Sequence, residues 1–248
     1  MDHHQQCDAL EAEVANFATL LDTAAMDSPV PSCPEWTVSD LATHLGTVHR
    51  WAQRLVHERA QRYQSSDDMG FDTSRADGEW IRSGGAQLVE TLRSGDPDTP
   101  MWAWGADQHL GFWSRRQRCE TLMHRVDLEL AKGLSPGADP AAAADAVDEL
   151  LVNLKAAQVF SPNVAELHGN GQVLTFTTTD ITATWSITLH PGGFVVGAGS
   201  DAADATLEGP AFDLLLVLYR RRAAGEPSLH RSGDHDLIDF WIAHSALE

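Results

Sequence analysis

Apolar residues recur at helical spacing through the first half of the chain. Leu10, Val14, Phe17, Leu20 and Leu21 form one stripe, which predicts a helix over residues 8–25, with His3 and His4 as a frayed end before it. Three prolines within residues 29–34 stop that pattern and read as a loop. Thr37 then sits where an N-cap belongs, opening a second helix that runs to about residue 61. Its stripe holds Leu41, Leu45, Val48, Ala52 and Leu55, and His44 lies close to it. A polar loop over 65–76 leads to a third helix over 80–93, with Ile81, Leu88 and Leu92 inward. After the loop 94–100 come Trp102, Trp104, Phe112 and Trp113, a concentration of aromatics that either walls a pocket or, more commonly, fills a core. A fourth helix is predicted over 114–132, closed by Gly133, and a fifth over 141–160 that connects two domains.

Beyond residue 170 the period changes from helical to two. Residues 172–179 and 182–189 alternate and are rich in β-branched side chains, so they read as strands. The turn at 190–193 leads into a third strand at 194–196, and 205–208 reads as a fourth. Pro210 opens a helix over 212–223, and a last helix is predicted over 236–246. The pattern is α+β in two domains: helices in residues 1–160, mixed helix and sheet in 161–248.

Composition narrows the function classes. With 36 acidic against 17 basic residues and a formal charge of −19, the chain would be repelled by phosphate backbones, which argues against nucleic-acid binding. No apolar run approaches the roughly 18 residues of a membrane span, and the N-terminus lacks a secretory pattern. Three scattered cysteines, Cys7, Cys33 and Cys119, argue against a disulfide scaffold and for a reducing cytoplasm. A monomer or a homodimer both fit.

Candidate chemistry centres on the fourth helix. Glu120 and His124, four residues apart, project from one helix face and can hold one metal ion between them. His44 is the candidate third ligand, and two histidines with one glutamate leave a zinc-like ion with an open position. A solvated helix face is the plainer reading of the pair. His49 lies about 140° around the helix from His44, so only one of the two should point inward; His44 is expected to, leaving His49 as a supporting group or solvated. Cys119 is about 100° from Glu120 and is not expected to be a ligand. Arg220, Arg221 and Arg222 read as a solvated helix end or as an anion clamp. No P-loop, dinucleotide fingerprint or Gly-x-Ser-x-Gly elbow is present.

The run Cys33-Pro-Glu-Trp-Thr-Val-Ser-Asp-Leu-Ala-Thr-His-Leu-Gly-Thr-Val-His-Arg-Trp-Ala52 resembles the signature of the mycothiol-dependent maleylpyruvate isomerase family. Glu120-x-x-x-His124 with Arg125 and Asp127, the segment Ala205 to Arg222, and Ser232 to Trp241 are similar to later parts of that family. The resemblance implies a DinB-like four-helix N-terminal bundle and a sterol-carrier-like α+β C-terminal domain. It implies metal ligation by His44, Glu120 and His124, and an arginine of the C-terminal domain near the metal. Arg221 is the expected counterpart, with Arg222 beside it at the cofactor; Arg220 is the remaining alternative.

The activity so implied is a mycothiol-using isomerase or thiol S-transferase. A divalent ion, Zn²⁺ first among the options, would lower the thiol's pKa so that its thiolate attacks a small electrophile. Two rivals share the sequence. One is a metal-dependent hydrolase on the same ligands; the other is a non-catalytic protein that binds a small ligand or a regulatory partner.

Overall fold

A computed structural model of the chain describes residues 1–199 and 202–245; the expected helix end at Ala246 lies outside the described residues. The chain divides into two compact units, Met1–Pro136 and Gly137–Glu248.

The first unit is built from four helices, α1 (His3–Leu21), α2 (Val38–Glu58), α3 (Gly78–Arg93) and α4 (Leu110–Ala131). Helix α1 packs on α3 and α4, and α2 packs on the same two. The stripes predicted from sequence are the buried faces: Leu10, Val14, Phe17, Leu41, Leu45, Leu55, Ile81, Leu88 and Leu92 form one core. Thr37 caps α2 as expected, in a reciprocal box with Asp40. Gly46 lets α2 approach α3, since a Cβ there would lie 1.9 Å from a Trp80 ring carbon.

Several expectations change. Helix α1 starts earlier, because Asp2 caps it in a box with Gln5. His3 is not frayed: its ring meets Ser114 Oγ at 3.0 Å and the Leu92 carbonyl at 2.9 Å. The proline-rich loop folds into a small antiparallel hairpin, β1 (Pro29–Val30) and β2 (Cys33–Thr37), with Pro31 and Ser32 at its turn. Helix α4 begins at Leu110, with His109 at the N-cap position, so Phe112 and Trp113 are helical. The aromatics follow the core reading: Trp113 is buried, and Trp51, Trp102 and Trp113 meet at centroid distances of 5.3–6.2 Å.

The second unit opens with α5 (Pro140–Asn153) and two short 3₁₀ turns, Ala156–Val159 and Pro162–Glu166. The periodicity predicts a connecting helix over 141–160, at the end of a first domain of residues 1–160. Helix α5 packs instead on α6 (Ala211–Leu218), so the compact units divide after Pro136 rather than at 160. Five strands follow the order β5 (Gly193–Ala198), β4 (Thr184–His190), β3 (Val173–Thr178), β6 (Ala205–Gly209), β7 (His230–Gly233). Strands β3 and β6 are parallel and the other neighbours antiparallel. In this register Phe176 lies opposite both Trp185 and Leu207. Trp241 of α7 (His235–His244) sits 5.1 Å from the Phe194 ring and 6.4 Å from Phe176. Strand β7 was not anticipated: an edge segment reading His-Arg-Ser-Gly has no apolar alternation to reveal it. The two-domain α+β class stands, with the helical unit first. Among the described residues, no helix is long and apolar enough to cross a membrane.

Candidate metal centre

Helix α4 departs from the amphipathic pattern of its neighbours, since it is buried nearly all round and carries polar groups inside. Its buried arginines are paired. Arg118 Nε donates to Gln6 Oε1 at 2.6 Å, and Arg125 is held by Glu13 and by Glu129, the latter at 2.7 Å. One helical turn of this polar interior faces α2 and the hairpin, and it holds Glu120 and His124.

His44, Glu120 and His124 come together. Each offers a ligand atom, and these lie within 4.8 Å of one another. Both imidazoles point Nε2 at the same carboxylate oxygen: His44 Nε2 is 3.3 Å and His124 Nε2 3.1 Å from Glu120 Oε1. Two ring nitrogens converging on one oxygen are bridged either by protons or by a cation. Arg116, buried and bonded to Glu120 Oε2, occupies the other carboxylate oxygen and leaves Oε1 to the histidines. The side chains are 36%, 20% and 10% exposed for His44, Glu120 and His124, so the centre opens on the His44 side.

The electrostatics follow from these contacts. Burial works to raise the Glu120 carboxyl, but the Arg116 guanidinium and His124 outweigh it and hold Glu120 well below the usual carboxylate range. Burial likewise works to depress His124, and the carboxylates of Glu120 and Asp127 overcome it, raising the imidazole to about 9. The fit to a divalent ion is good: two neutral nitrogens and one ionised oxygen form the donor set of a site with a free position. The ion would have to displace the proton on His124 Nε2.

Around this set the structure adds groups that spacing did not single out. Trp36 lays its ring 4.9 Å from His44 and 6.2 Å from His124, forming an aromatic wall. Asp127, fully buried, accepts from His124 Nδ1 at 3.0 Å and from Ser32 Oγ at 2.6 Å. Its position three residues beyond His124 is visible in sequence; Ser32, far away along the chain, is not. Cys119 is buried beside Arg118 and outside the donor set.

His49 corrects an expectation. It is the fully buried histidine of α2, continuing the row Leu41, Leu45, His49, Ala52, while His44 stands at the edge of that row. Thr121 Oγ donates to the Gln117 carbonyl at 2.7 Å and so accepts from His49 Nε2 at 2.9 Å. Nδ1 has no hydrogen-bond partner among the described residues. Burial pushes this imidazole down to about 3, so it is neutral beneath the centre.

The arginine triplet belongs to the second unit. Helix α6 ends at Leu218, not near 223, and Arg220 takes a left-handed conformation, φ 59°, that turns the chain away. Arg221 donates to the Tyr219 carbonyl at 2.8 Å, and Arg222 pairs with Asp213. The triplet lines a cavity of about 440 Å³ with Asp239, Ile242 and Ala243 of α7.

Comparison with known proteins agrees with this arrangement. Residues 7–129 match the mycothiol maleylpyruvate isomerase N-terminal domain, and residues 141–240 match the C-terminal domain of the same isomerase family. The fold is similar to crystal structures of the mycothiol-dependent maleylpyruvate isomerase, at 12% identity and a TM-score of 0.59, and of a histidine-to-alanine mutant of it, at 11% and 0.61. Each comparison covers 94% of this chain and 93% of the other. No curated protein is a significant match. With family domains matched on both units and the two-domain fold shared throughout, the chain belongs to the mycothiol-dependent maleylpyruvate isomerase family.

Proposed function

We propose that this protein is a metal-dependent, mycothiol-using enzyme, an isomerase or thiol S-transferase acting on a small electrophile in a reducing cytoplasm. The observation that carries the reading is the convergence of His44 Nε2, His124 Nε2 and Glu120 Oε1 on one point, open to solvent on one side. These three residues would hold a divalent ion, with Zn²⁺ suited to the mixed nitrogen and oxygen donors. Such a cation supplies the charge that lets a coordinating thiol lose its proton near neutral pH.

The chain's own residues do the rest. Arg116 keeps Glu120 ionised and leaves Oε1 as the free oxygen, so the carboxylate would offset part of a bound cation's charge through that one atom. Trp36 shields one side of the imidazoles from water. Arg221, with Arg222 beside it, is assigned to a substrate carboxylate or to the thiol cofactor, because a guanidinium fork matches a carboxylate with two parallel hydrogen bonds.

The test pairs metal analysis with thiol dependence. Protein purified without chelators should hold close to one divalent ion per chain, and Glu120→Ala or His124→Ala should hold none. Turnover of an electrophile such as maleylpyruvate should require both the ion and mycothiol. Turnover without any thiol would select a hydrolase on the same ligands. A folded wild type that takes up no metal would end the reading.

A further inference from the structure

The hairpin β1–β2 touches the metal centre at two points, and one of them is a hydrogen-bond chain. Ser32, the second residue of its two-residue turn, donates Oγ–H to Asp127 Oδ1 at 2.6 Å. Asp127 Oδ2 lies 3.0 Å from His124 Nδ1. A carboxylate can only accept, so Nδ1 carries the hydrogen and Nε2 is the nitrogen left to face Glu120 and an ion. Asp127 is fully buried, with Oδ1 bonded to the hairpin turn and Oδ2 to the imidazole, so one carboxylate joins the hairpin to the ring of His124. Trp36, at the far end of the same hairpin, rests against His44 and His124.

From this we infer that Ser32 and Asp127 are positioning residues for His124, and that the β1–β2 hairpin tunes metal affinity through them. The inference rests on the metal reading above and adds a device to it. A buried carboxylate without the Ser32 hydroxyl could rotate away from Nδ1, letting the ring turn or change tautomer. The hydroxyl therefore reaches the ion's nitrogen ligand through two hydrogen bonds, from a segment remote in sequence. Outer groups of this kind typically change metal affinity ~10–100-fold when removed. Asp127, in direct contact with His124, belongs at the upper end of that range, and Ser32, one bond further away, near or below its lower end.

The experiment measures Zn²⁺ affinity by competition with a chromophoric chelator for wild type, Ser32→Ala, Ser32→Thr and Asp127→Asn. Folding of each is checked by circular dichroism. Asp127→Asn should weaken zinc binding roughly 10–100-fold and Ser32→Ala about 3–10-fold, while Ser32→Thr, which retains a hydroxyl, should lie within about twofold of wild type. In zinc-loaded protein, the ¹H signal of His124 Nδ1–H should lie downfield as a charge-assisted hydrogen bond. It should move upfield in Asp127→Asn and to a smaller degree in Ser32→Ala, which a merely structural role would not produce. Equal zinc affinity and an unmoved Nδ1–H signal in Ser32→Ala and Asp127→Asn would overturn the relay while leaving the metal centre intact. A folded wild type that binds no zinc would overturn both.

Discussion

His49 offers a test of the interior beneath the centre that does not depend on activity. Its Nε2–H is used by Thr121 and its Nδ1 has no donor to meet among the described residues, so a second proton would place a buried charge on an atom without a partner. The imidazole is accordingly pushed from an ordinary 6.5 to about 3. The sign follows from linkage. Above pH 6.5 the group is neutral in both states; below it, the unfolded chain takes up a proton that the folded protein refuses, so stability falls as pH falls. Each pH unit below 6.5 costs about 1.4 kcal/mol, which gives about 2 kcal/mol between pH 7.5 and 5.0. Urea denaturation of metal-free wild type and His49→Leu at those two pH values should show this difference. Wild type should lose about 2 kcal/mol more than the variant on acidification. His124 contributes in the opposite sense. Its raised value of about 9 stabilises the metal-free protein fully below pH 6.5, and that contribution is lost as pH rises towards 9. It is common to both proteins and cancels in the comparison. Parallel acid dependence in the two proteins, or a His49 ring that titrates near 6.5 by NMR, would refute the reasoning.

Other consequences are equally specific. Arg125→Ala should destabilise the protein by about 3–5 kcal/mol in denaturant melts, because Glu13 and Glu129 would be left facing each other around a lost partner. Gly46→Ala should cost about 1–3 kcal/mol, since its methyl would enter the Trp80 ring and force α2 away from α3; the melting temperature reports it. Metal binding should weaken as pH falls below about 9, where the ion must displace the His124 proton, and calorimetry in buffers of different ionisation enthalpy should show proton release on zinc binding. Chelation should abolish thiol-dependent turnover, and zinc should restore it.

Much of this protein is written in local pattern. The three stripes of α1, α2 and α3, the Thr37 cap and the alternating strands of the second unit are short-range signals, and each formed the expected element because the buried face and the local propensity agree. The candidate ligand pair Glu120 and His124 is also local, one turn apart on a helix.

What the tertiary structure alone decided involves direction and distance. Whether His44 or His49 points inward turns on a rotation that an apolar stripe specifies only loosely; the packing buries His49 and sets His44 at the open edge. The Ser32–Asp127 contact joins a loop to a helix across 95 residues, and no periodicity encodes it. Prolines at 29, 31 and 34 read as a break, yet a two-residue turn between short edge segments accommodates them. Helix α5 packs on α6, a pairing that the pattern leaves undetermined. Local chemistry thus determined the elements and one candidate ligand pair. The direction of His44, and the groups that hold the candidate ligands in place, depended on packing, because burial is settled between elements and not within them.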